Sequence, residues 1–163
     1  MLAALPGAKP MPRFLLPPVL VLLLLGVMWL LDRMLPAPAL VKPLSTWLGV
    51  AGVLAGYAIA QWHVALFKRR GANIPTFGEP SELCEAGWFS WTRNPMYLGL
   101  LVLLLGAACW MGSLSAFAGP AVFFAAAHWG YVPFEEARLQ ARHGARYADY
   151  CRRVPRWIGR RRA

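Results

Sequence analysis

What most restricts this chain is a series of four apolar runs, at 14–31, 44–67, 96–111 and 114–133, separated by polar stretches. A bilayer core demands roughly 20 consecutive apolar residues per helix, so four spans would use about half of the chain. With 58% hydrophobic residues and a mean hydropathy of +0.45, the 163 residues are more apolar than a soluble domain of this length can bury. The expected fold is all-α: a single domain over 1–163, built as a polytopic membrane bundle of about four helices with an interfacial C-terminal helix. Helices satisfy their own backbone groups in lipid, which irregular chain cannot do.

The first run follows Lys9 and Arg13 and precedes Pro36-Ala37-Pro38-Ala39, a pattern that a cleaved signal peptide also shows. It is longer than a usual signal core, and Pro17 and Pro18 near its start suit a helix's first turn. The second run ends at Lys68-Arg69-Arg70, a basic cytoplasmic stop. Gly112-Ser113 turns the third run into the fourth as a tight hairpin, and small residues such as Gly106, Ala107, Ala116 and Gly119 allow close helix approach in lipid.

Charge orients this bundle. If both termini face the cytoplasm, all of the 17 lysines and arginines except Arg33 and Lys42 fall on that side. The expected location is a bacterial inner membrane, and the net charge of +10 reads as topology plus attraction to anionic lipid. Without a basic, aromatic-interleaved soluble module, nucleic acid is not an expected partner. Cys84, Cys109 and Cys151 are too far apart in sequence for a C-x-x-C element, so no metal site is expected. No dinucleotide fingerprint, P-loop, G-x-S-x-G or H-E-x-x-H string occurs either.

Two polar segments abut the ends of the last hairpin. One runs from Gly87 to Gly99 and contains Trp88, Trp91, Arg93, Asn94, Pro95 and Tyr97; by composition it is also a membrane-interface anchor. The other begins at Phe134 with the adjacent carboxylates Glu135 and Glu136. The plain reading of that pair is one helical ion pair to Arg138 and one solvated carboxylate, each worth a few tenths of a kcal/mol. Gly99 and Glu135 are 36 residues apart, yet an antiparallel hairpin returns both segments to one face of the membrane. Beyond Phe134, the spacing of Arg138, Arg142, Arg146 and Arg153 puts them on one helical face. Tyr147, Tyr150, Cys151 and Val154 lie on another, with an interruption near Gly144.

Arg93-Asn94-Pro95-Met96-Tyr97-Leu98-Gly99, followed by Glu135-Glu136 and by the stretch from His143 to Ile158, resembles the isoprenylcysteine carboxyl methyltransferase and phospholipid methyltransferase superfamily. The resemblance covers roughly residues 68 to 158. It implies a small integral membrane methyltransferase with S-adenosylmethionine as cofactor, bound by the regions 68–99 and 134–158. By the same resemblance Arg93, Asn94, Pro95, Tyr97 and Gly99 line the cofactor pocket, and Glu135 and Glu136 face its aminoacyl end. Many relatives carry histidine where this chain has Asn94, which hydrogen-bonds but cannot titrate.

The implied reaction is methyl transfer to a lipophilic, prenylated or phospholipid-like acceptor that enters sideways from the bilayer. Holding nucleophile, methyl carbon and leaving sulfur in line supplies much of the rate. An amine nucleophile needs a base, for which Glu135, Glu136 and His128 are the candidates, whereas a carboxylate needs none. Tyr147, Tyr150-Cys151 and Val154-Pro155 also resemble the tail of sterol reductases, so an NADPH-dependent membrane reductase is a second reading. A non-catalytic membrane partner is a third.

Overall fold

The computed structural model describes residues 16–35, 44–69 and 83–159. Phe14, the basic residues Lys9, Arg13, Lys42, Arg70, Arg160, Arg161 and Arg162, the 36–39 stretch and the 70–82 part of the expected cofactor region lie outside them. The described residues form six α-helices and no strand, in line with the all-α expectation. They are α1 (Pro17–Met34), α2 (Leu44–Arg69), α3 (Pro95–Met111), α4 (Ala118–Ala126), α5 (Val132–His143) and α6 (Ala145–Arg153).

Local chemistry sets the ends of these helices. α1 and α3 each begin with a proline whose missing amide hydrogen falls where no intrahelical bond is due. α3 stops at Gly112, which adopts a left-handed conformation (φ 73°) while its N–H donates to Ala108 O. The chain then passes through a 3-10 turn, Leu114–Phe117, into α4.

Two helices are long and apolar enough to cross a membrane, α1 and the Thr46–Leu66 portion of α2. α3 is apolar but has 17 residues, about 25 Å at 1.5 Å per residue. α3 is the hub: α2 packs along it, and α1 packs on both α3 and α4. Met28, Leu104, Phe123 and Val132, fully buried, draw the core from α1, α3, α4 and α5. Large apolar side chains face outward instead on α1 and α2, among them Leu22, Trp29, Trp47 and Leu54. Such a surface suits lipid and not water.

Close approach of α2 and α3 depends on glycine. A Cβ on Gly56 would lie 2.5 Å from Gly99 O, and one on Gly106 would lie 2.5 Å from Val53 N. Both obstacles are backbone, which cannot swing aside. Without a hydrophobic driving force between helices in lipid, such contact supplies the packing that holds them together.

The structure corrects one boundary. The helix that carries the fourth run does not stop at Pro133; α4 continues through a π-helical turn (Ala127–Tyr131) directly into α5. Val132 N–H donates to Ala127 O, five residues back. Proline inside a helix lacks a donor and clashes with the carbonyl four residues earlier. A widened turn immediately before Pro133 lets the helix continue. The break expected near Gly144 is present, at φ +52°, and α6 starts after it.

Candidate functional site

The segment that leads into α3 is pinned from outside by the chain that follows α6. Gly87–Ser90 form a 3-10 turn, and the N–H groups of Trp91 and Thr92 both donate to Trp88 O. Tyr150 OH donates to Phe89 O at 2.7 Å, and Arg93 N–H donates to Pro155 O at 3.0 Å. Arg156 O accepts from Asn94 Nδ2 at 2.9 Å and from Thr92 Oγ1 at 3.2 Å. Tyr147, Tyr150 and Val154 are buried together with Leu83, so the tail packs firmly beneath this segment. Trp91 stays exposed, as an interface anchor would be.

Onto this frame the first turns of α3 and α5 bring the expected side chains together. Tyr97, 1% exposed, donates its hydroxyl to Glu135 Oε1 at 2.7 Å. Its ring stacks on Tyr131 of the π turn, with centroids 5.9 Å apart. Arg93 Nη1 sits 2.8 Å from Glu136 Oε1, and Arg156 forks onto the same carboxylate, with Nε 3.1 Å from Oε1 and Nη2 paired to Oε2. Arg93 Nη1 also donates to Cys151 Sγ at 2.7 Å. Glu136 is therefore no solvated helix start, since both its oxygens are on guanidinium groups and its side chain is only 16% exposed.

Of these groups, Arg93, Tyr97, Glu135 and Glu136 open into one cavity of about 590 Å³, the open solvent at its mouth included. Arg93, Asn94, Pro95, Tyr97, Glu135 and Glu136 line one side of it, and His63, Leu83, Cys84, Phe89, Tyr147 and Tyr150 also contribute. Burial opposes the charge of Arg93, but the Glu136 carboxylate, together with Cys151 and Tyr147, outweighs this and holds its pKa above the ordinary value. Burial pushes the Tyr147 and Tyr150 phenols up, so both remain neutral donors at physiological pH. With two guanidinium groups on Glu136, that cluster carries one surplus positive charge beside the carboxylate of Glu135. A positive and a negative recognition element thus stand side by side, which is the complement of a zwitterion.

Two expected residues are placed elsewhere. Gly99 is absent from the cavity wall and packs against Ile59 and Gly56 of α2. His128 is absent from it too; its Nδ1 accepts from Trp157 Nε1 at 2.9 Å, and its ring stacks on Phe124. Sequence reasoning missed Arg156 as a partner of the acidic pair and His63, buried at 4%, as part of the wall. The signal for His63 was a polar residue within an apolar run; for Arg156 it was only the Val154-Pro155-Arg156 string.

Comparison with family patterns gives a match to phospholipid methyltransferase over residues 44–146. The chain belongs to the phospholipid methyltransferase family. This bears out the resemblance drawn from the Arg93–Gly99 and Glu135-Glu136 strings. Membership gives the general class, a membrane methyltransferase, and favours methyl transfer over reduction. The match takes in α2 through α5, with Arg93, Tyr97 and the acidic pair, while Tyr147 to Trp157 lie beyond it. No curated protein and no solved structure matches the chain.

Proposed function

We propose that this protein transfers the methyl group of S-adenosylmethionine to a lipid-borne acceptor, in a cavity at the cytoplasmic end of a four-span bundle with both termini cytoplasmic. The observation that carries this reading is the side-by-side placement of the Tyr97–Glu135 and Arg93–Glu136 pairs on one cavity, with Arg156 behind Glu136. The residues fit the cofactor: Arg93 and Asn94 for its carboxylate, Glu135 for its cationic part, and Phe89, Tyr147 and Tyr150 as flat rings for its base.

Bound S-adenosylmethionine supplies a methyl carbon activated by a sulfonium leaving group. Glu135, held at Oε1 by Tyr97, orients the cationic part and takes the proton of an amine acceptor. Glu136 anchors Arg93 and Arg156, with both of its oxygens engaged by them. Phe89, Tyr97, Tyr147 and Tyr150, all buried, give the cavity an aromatic wall. Apolar outer faces on α1 and α2 support sideways entry of a lipid acceptor.

Calorimetry on detergent-purified protein tests the cofactor: S-adenosylmethionine binds and NADPH does not. NADPH binding without S-adenosylmethionine binding would favour the reductase, and binding of neither would favour a non-catalytic partner. A reporter fused after Ala163 and read on the outer side would contradict the orientation.

A further inference from the structure

We propose that the side chain of Arg156 is a positioning residue that turns Arg93 toward the carboxylate of the bound cofactor. The inference rests on the S-adenosylmethionine reading and concerns a residue outside both the cavity wall and the matched family segment. Arg156 engages Glu136 as a fork, one nitrogen to each oxygen. Arg93 reaches the same carboxylate through Nη1, which also donates to Cys151 Sγ. Its Nε is buried and has no hydrogen-bond partner among the described residues.

The physical consequence is competition for one carboxylate. A lone Arg93 would itself fork onto Glu136, because paired N–H bonds are the preferred guanidinium–carboxylate geometry. Its donors would then be spent on the protein, and the cluster would be neutral. With Arg156 holding both oxygens, Arg93 is not forked onto Glu136, and the cluster keeps one surplus positive charge beside Glu135. A ligand carboxylate is the group this arrangement recognises.

Arg156 has a second role that its side chain does not perform: its carbonyl oxygen accepts from Asn94 and Thr92. Side-chain substitution leaves that backbone staple in place, so the two roles separate in one experiment. Affinities for S-adenosylmethionine and for its decarboxylated analogue are measured on the purified full chain, for the parent, Arg156→Gln and Arg156→Lys.

The parent prefers the carboxylated ligand, and in Arg156→Gln that preference falls by about tenfold, with analogue binding changed by less than about twofold. Arg156→Lys, which keeps the charge and loses the fork, loses about threefold of the preference. If Arg156→Gln does not accumulate folded, the lysine variant decides on the same ratio. An unchanged ratio, or equal weakening of both ligands as a merely structural role would give, overturns the inference alone. A parent that binds neither ligand overturns the cofactor reading and the inference with it.

Discussion

Glu135→Gln leaves the protein folded in the membrane and weakens S-adenosylmethionine binding by about two orders of magnitude, the cost of losing one partner of a desolvated charge pair. The substitution keeps the shape of the side chain and an acceptor for the Tyr97 hydroxyl, 2.7 Å away, and removes only the charge. A solvated surface glutamate would lose under about 1 kcal/mol. Titration calorimetry reads the difference, and parental affinity in Glu135→Gln would show that this carboxylate does not face the cofactor. Glu136→Gln behaves differently. It leaves the guanidinium groups of Arg93 and Arg156 short of a carboxylate in a half-buried site, so a loss of thermal stability accompanies its loss of affinity.

The second large effect is on the bundle. Gly56→Ala places a methyl group 2.5 Å from Gly99 O, and only separation of α2 from α3 can relieve the clash. Overpacking costs about 1–3 kcal/mol and more where backbone is the obstacle. A fall in the thermal midpoint of roughly 10 °C is expected in detergent. Gly26→Ala in α1 is the control, since a Cβ there meets nothing within 4 Å. Equal midpoints for the two variants would mean that α2 and α3 do not approach through Gly56.

The helices were legible in the sequence because lipid imposes one simple rule, a long run without charge. Proline and glycine at 95 and 112 then marked the ends of α3. Convergence of Arg93–Tyr97 with the acidic pair was legible too, because a hairpin must return its ends to one side. Helical continuity through Pro133 was not, since a π turn alters backbone hydrogen bonding without altering the apolar pattern.

Gly99 shows the limit of a motif. It follows Tyr97 by two residues, about 200° around the helix, so one faces Glu135 and the other faces α2. A string of residues carries no such distinction. Arg156 was illegible for a different reason: its partner lies 20 residues back, across a helix break at Gly144, and no local spacing predicts that pairing.

The most direct measurement supplies S-adenosylmethionine, labelled in its methyl group, to inside-out membrane vesicles that carry the protein, with the cytoplasmic face outward. Label enters the lipid fraction with the parent and does not with Glu135→Gln. Lipid labelling no greater than in vesicles lacking the protein would contradict the assignment of a cofactor-dependent lipid methyltransferase.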